Sequence, residues 1–283
     1  MKRLLLILLL GLVQVQAQVG VLDLADPVFL GGTVNDEGGG GSSEPPTTAL
    51  LAHYEADSEV FTDAGTTPAA DGEAVYQWND QSGNGNHLTQ TTSGDRPLYQ
   101  TAEQNGLAGI QFVSTDFIGR AGTIFTNGPA TVYVAAKVTD STASGALLFD
   151  GENDTTAEYY ALYNLSSATG VVRWWARNGA TGDSYVETST TYSTGTTYIF
   201  TGQEEASGAG RSVELNGAGT GNNSVAVGDT PRTSSTFRLG YLADSTPSNA
   251  FVGYIFEVLV YGAAHDATER AEVESYLTTK WGL

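Results

Sequence analysis

Three short stretches of the chain carry residue types at spacings that could do chemistry. In HYEADSEVF (53–61) the acids Glu55, Asp57 and Glu59 recur at every second residue. On a β-strand that spacing projects all three carboxylates from one face. Two such groups about 5–5.5 Å apart, one a nucleophile and one a proton donor, can cleave a glycosidic bond with retention. The same row equally suits a solvated sheet edge, where like charges discourage aggregation. In DQSGNGN (80–86), Asp80, Ser82 and Asn84 put oxygens at the first, third and fifth places of a calcium-loop pattern, with Gly85 at the sixth. Thr91 stands at the twelfth place, where a bidentate Glu is wanted. Asp, Ser, Asn and Gly also make such turns without an ion, through Asx hydrogen bonds.

The third stretch is VVRWWARN (171–178). Adjacent strand residues face opposite ways, so Val172, Trp174 and Ala176 should enter the core and Arg173, Trp175 and Arg177 should face out. An indole between two guanidinium groups suits a sugar ring or an acidic polysaccharide, through stacking and charge-assisted hydrogen bonds. Tyr159, Tyr163 and Tyr185 could extend this platform or join the core, and the arginines could instead pair with acids of the chain. Other chemistries find little support. His53, His87 and His265 are isolated, without zinc-ligand spacing. GAGTGNN (217–223) lacks the strand and helix that a dinucleotide site requires, and there is no G-x-S-x-G elbow, P-loop or cysteine.

The elements that must position these residues read as β almost throughout. Apolar runs rich in Val, Tyr, Phe, Ile and Thr lie at 109–113, 130–138, 145–150, 157–164, 171–178, 196–203, 211–217, 236–241 and 251–262, separated by Gly, Asn, Asp and Ser. Asn178-Gly179 and Asn216-Gly217 are hairpin signals, since both residue types tolerate positive φ. The period changes at the end. Asp266 with Glu269 reads as a capping box, and Val273, Tyr276, Leu277 and Trp281 then recur at helical spacing.

Ahead of this domain, MKRLLLILLLGLVQVQAQ has the basic start, apolar run and small residues of a signal peptide cleaved near Ala17. Residues 18–47 are rich in Gly, Ser and Pro and read as a flexible segment, with the domain over 48–283. These features predict a secreted protein with no membrane span. A formal net charge of −20 disfavours nucleic acid and anionic lipid as partners. The absence of cysteine leaves the fold resting on its core.

VYQWNDQSGNGNHLTQ (75–90), RPLYQ (96–100), GLAGIQF (106–112) and the terminal FVGYIFEVLVYGAAHDATERAEVESYLTTKWGL (251–283) together resemble the bacterial and phage branch of the laminin-G-like, concanavalin A-like domains. The resemblance implies an all-β, two-sheet antiparallel jelly-roll sandwich with one C-terminal amphipathic helix. It also implies a binding module for a polysaccharide or cell-surface glycan, or a structural module of a virion or cell surface tethered to a protein partner through its N-terminal segment. Laminarinase-type glycosidases carry an E-x-D-x-E strand among mid-domain tryptophans, whereas here the motif follows the linker and falls on the family's opening strand. An endo-acting glycosidase or lyase using Glu55, Asp57 and Glu59 is the third reading.

Overall fold

The computed structural model describes residues 43–113, 115–125, 128–140, 142, 144–151, 159–165, 170–178, 182–205, 210–223, 236–242 and 250–283. All lie in the compact unit Gly40–Leu283. The expected signal peptide, and the Gly/Ser-rich segment up to residue 42, fall outside the described residues. So does the Gly179 turn.

In chain order the strands are β1 (Leu50–Glu55), β2 (Val60–Phe61), β3 (Gln77–Trp78), β4 (Leu88–Thr89), β5 (Leu98–Gln104), β6 (Leu107–Phe112), β7 (Ile118–Ala121), β8 (Ala130–Val138) and β9 (Gly145–Gly151). They continue with β10 (Tyr159–Asn164), β11 (Val172–Asn178), β12 (Gly182–Glu187), β13 (Thr197–Glu204), β14 (Arg211–Leu215), β15 (Ala218–Asn223), β16 (Thr236–Leu239) and β17 (Gly253–Tyr261). Helix α1 (Ala267–Trp281) closes the chain. One antiparallel sheet runs β15-β14-β13-β8-β17-β6-β5, and the other β12-β11-β10-β9-β16-β7-β4-β3-β2. Strand β17 gives one flank to β8 and divides the other, with β6 along Gly253–Ile255 and β1 along Glu257–Tyr261.

Period-two alternation decides which side chains fill the space between the sheets. Val132, Val134, Ala136, Phe200, Val213, Val258 and Val260 come from the first sheet, and Leu148, Tyr160, Leu162, Trp174, Phe237 and Leu239 from the second. Trp174 stacks on Tyr160 at 5.8 Å between ring centroids. Gly202 on β13 faces it so closely that an added Cβ would lie 2.3 Å from the indole. A glycine therefore sets how near the sheets approach at this point.

The outer face of the first sheet is also apolar. Tyr133, Ala135, Ile199, Phe256, Leu259 and Tyr261 are covered by Val273, Tyr276, Leu277 and Trp281 of α1. The helix begins as its sequence predicts. The Asp266 carboxylate accepts from the Thr268 and Glu269 N–H groups, Glu269 returns the bond to the Asp266 N–H, and Gly282 ends the helix at φ 65°. Asn216 and Gly217 turn β14 into β15 with φ 50° and 64°, as the type I′ hairpin requires.

The nine apolar runs all contain strands. The strands that sequence patterning passed over are two-residue bridges (β2, β3, β4) or polar segments such as LYQTAEQ (β5), GDSYVE (β12) and AGTGNN (β15). Tertiary pairing rather than propensity makes these extended. We expect Gly202→Ala to lower stability by about 2 kcal/mol, the cost of overpacking a tight core, read as a lower urea midpoint with unchanged slope.

Candidate functional site

The E-x-D-x-E stretch does not form one carboxylate face. Strand β1 ends at Glu55, and residues 56–59 turn away from it, with Glu59 at φ 53°. Each acid then takes a separate role. Glu55 lies 3.0 Å from Lys280 Nζ. The Asp57 Oδ1 accepts the Ala108 N–H at 2.9 Å, and Glu59 accepts from the Asn79 amide at 3.0 Å. The expected strand alternation fails because the chain must bend at Ala56 to bring Glu59 to the second sheet.

Glu55 instead joins a cluster that spacing could not show. His53, Glu55 and Glu257 bring ligand-type atoms within 4.8 Å of one another. A bulge in β17 between Ile255 and Glu257 puts Phe256 and Glu257 on the same outer face. There Glu257, fully buried, lies 2.7 Å from His53 Nε2 and accepts from Tyr276 Oη and Trp281 Nε1 at 2.7 Å each. Lys280 Nζ stands 3.2 Å from Glu257 and donates to Tyr276 Oη. The ammonium thus takes the position of a cation between Glu55 and Glu257. Burial pushes the Glu257 carboxyl up, but the His53 hydrogen bond, the Lys280 charge and the Tyr276 hydroxyl outweigh it and hold it below the usual range. Glu257→Ala should cost about 3–5 kcal/mol in denaturant unfolding, because it leaves the buried His53 ring, Tyr276 hydroxyl and Trp281 N–H without the carboxylate they share.

The loop Asp80–Asn86 is ordered around an aspartate rather than around converging oxygens. The Asp80 carboxylate accepts from the His53, Ser82 and Asn86 N–H groups and from the Ser82 hydroxyl, at 2.9–3.0 Å. The Asn84 amide nitrogen donates to the Leu50 and Leu51 carbonyls, and that of Asn86 to Leu51. Asp80, Ser82 and Asn84 are therefore brought together as the sequence suggests, but as a latch on β1. The calcium-loop geometry is not what holds them, since N–H and O–H donors fill both oxygens of Asp80.

A third polar cluster lies where α1 crosses β13 and β14. Glu274 is half-buried beside Glu214, whose other neighbour is Arg270 at 3.6 Å. Burial and the Glu214 charge push the Glu274 carboxyl up to about 7. The folded state thus holds a proton that the unfolded chain releases above the ordinary carboxylate range, so stability falls as pH rises through about 7. Glu274→Gln should match the parent near pH 4 and exceed it above pH 7 by on the order of 1 kcal/mol, allowing for solvent screening, in melts across pH.

Strand β11 alternates as expected, with Trp175 half-buried against the cluster of Tyr159 and Tyr163. Val172, Trp174 and Ala176 are buried between the sheets, and Arg173, Trp175 and Arg177 project from the other side of β11. Tyr185 of β12 pairs across from Trp175 and is 47% exposed. Tyr159 and Tyr163 of β10 each place a ring centroid 5.6 Å from that of Trp175. The Arg173 guanidinium lies 3.9 Å over the Tyr185 ring and is held there by Glu187. Arg177 lies 5.3 Å over Tyr159 and 5.5 Å over Trp175. The Trp175 indole N–H is buried without a hydrogen-bond acceptor among the described residues. A half-buried ring framed by guanidinium groups can offer its exposed part to a pyranose face, with the guanidinium N–H groups as donors to hydroxyls. Both bland expectations hold in part: Tyr159 and Tyr163 are buried, and Arg173 is paired.

The sequence matches no protein-family model and no curated protein. Its fold is similar to domain 4 of AbnA, an extracellular arabinanase from Geobacillus stearothermophilus, solved in complex with arabinotriose. The TM-score is 0.58 at 16% identity, over 80% of this chain and 98% of that domain. It is also similar to part of the sialidase of Trypanosoma rangeli in complex with the inhibitor DANA, with a TM-score of 0.55 and 14% identity. There the match covers 83% of this chain and 34% of that one, so this chain spans about a third of the sialidase. At such identities the likeness establishes a shared two-sheet sandwich fold.

Proposed function

We propose that the chain is a secreted, non-catalytic glycan-binding module of laminin-G-like type, and that it binds through the outer face of the second sheet. The observation that carries this reading is the Trp175 surround: a half-buried indole, two flanking arginines and the exposed Tyr185. Stacking supplies affinity for the apolar face of a sugar ring, and N–H donors supply its hydroxyls with partners. The arabinanase domain solved with arabinotriose supports the reading, since a fold of this kind accompanies an oligosaccharide there. The dispersal of Glu55, Asp57 and Glu59 supports a non-catalytic role, because a retaining pair must face one bond.

The other three tryptophans are fully buried, so a change in indole emission on adding ligand reports Trp175. The full chain should bind at least one of a panel of soluble polysaccharides with an emission shift and no release of new reducing ends. Trp175→Ala should weaken that binding about tenfold and abolish the shift. Undiminished binding by Trp175→Ala would refute the assigned face, and new ends that vanish in Glu55→Gln would establish the glycosidase reading instead.

A further inference from the structure

Arg173 is the most closely defined polar group beside Trp175. It stands opposite Glu187 in the register of β11 and β12. Its Nε and Nη2 both donate to Glu187 Oε1, Nε at 3.0 Å, so the two side chains form a side-on ion pair. The guanidinium carbon lies 3.9 Å from the centroid of the exposed Tyr185 ring and 5.8 Å from that of Trp175. Both partners reach solvent, with 21% of the Arg173 side chain and 36% of that of Glu187 exposed. On the other side of Trp175, Arg177 has Asp183 opposite it in the same strand pair. Each arginine next to the indole therefore has an acid across from it in the register.

That arrangement decides what charge the face offers. A guanidinium stacked on an aromatic ring and paired with a carboxylate keeps its donor geometry, while the net charge of the pair is zero. Arginine carries five N–H donors, of which Glu187 takes two, and the carboxylate has acceptor capacity on Oε2 beyond the two bonds to Oε1. The pair thus presents a donor and an acceptor side by side at the margin of the Tyr185 ring. A sugar hydroxyl both donates and accepts, so two neighbouring hydroxyls can satisfy guanidinium and carboxylate together. A carboxylate or sulfate group can meet only the guanidinium, and must approach it against the Glu187 charge. The net charge of −20 on the chain adds a field of the same repulsive sign.

We infer that Glu187 sets the ligand class at this face, and that the ligand is a neutral polysaccharide whose hydroxyls meet the Arg173–Glu187 pair beside the Tyr185 ring. The inference rests on the glycan-binding reading above and narrows its ligand. Glu187 has two effects there. It holds the guanidinium over Tyr185, and it cancels the charge that would otherwise draw an acidic chain.

The test titrates the full chain with laminarin, arabinan and dextran, which are neutral, and with polygalacturonate and dextran sulfate, at low and at about 0.5 M salt. Dextran and its sulfate share one backbone, so that comparison isolates charge. Parent, Glu187→Gln and Arg173→Gln are compared, with a thermal melt of each. At low salt the parent should bind at least one neutral polymer about tenfold or more tighter than either acidic one. Glu187→Gln should lower that preference about tenfold by baring the Arg173 charge, and high salt should remove the gain in acidic binding. Arg173→Gln should weaken neutral binding and strengthen acidic binding not at all, since it leaves Glu187 alone on the face. Both substitutions break the same ion pair, so the structural loss of the pair is common to them and only a charge effect separates their acidic affinities. Lack of a neutral preference in the parent, or equal acidic affinities in the two variants, overturns the inference while leaving glycan binding intact. Failure of every polymer to bind overturns the glycan reading and this inference together.

Discussion

The fully buried carboxylate of Glu257 is the constraint around which the first sheet and its helix are arranged. A lone ionised carboxylate in such a place would cost many kcal/mol, so every element near it contributes a partner. Strand β1 brings His53, and α1 brings Tyr276, Lys280 and Trp281. The bulge that aims Glu257 outward also frees Phe256 to pack against the Trp281 ring at 5.3 Å. One local irregularity therefore serves both the polar and the apolar attachment of the helix. Such a network fixes where the helix sits more firmly than an apolar patch alone, because a shift by one turn would leave a buried charge unanswered.

With the helix in that place, the molecule has two sheets and three filled layers. The space between the sheets is packed with large aromatics, and the outside of the first sheet is closed by α1. The outside of the second sheet carries a different chemistry. Its residues alternate with the same period, yet they are Tyr159, Tyr163, Trp175 and Tyr185 interleaved with Arg173, Arg177 and Arg238. Tyr159 and Tyr163 are buried there with Phe149, Ala161 and Leu242, Trp175 is half-buried at the margin of that cluster, and Tyr185 is exposed.

Sequence alone made parts of this legible for clear physical reasons. Trp174 and Trp175 had to face opposite ways because a strand has period two, and the apolar company of Trp174 told which way was in. The capping box of Asp266 and Glu269 marked the start of α1, because a helix start needs specific acceptors for its free N–H groups. Glu257 was invisible, lying in an apolar run 204 residues from His53, and only a bulge turns it outward. Arg238 could be assigned to an outer face by alternation, but nothing in TFRLGY told which sheet held it. The row from Asp57 to Glu59 misled because spacing presumes a strand that tertiary structure ends at Glu55.

The divided flank of β17 bears on the order in which this molecule can form. That strand is the penultimate element of the chain and the central seam of its sheet. Without it, β15-β14-β13-β8 shares no strand pairing with β6-β5, and β1 has no strand partner. A growing chain thus carries two unfinished half-sheets with open edges until residues 253–261 arrive to join them. Pairings of such long sequence separation close slowly, so the sheet is completed late and in one cooperative step. Its first strand, made at residue 50, waits for nearly the whole remainder of the chain before it gains a strand partner.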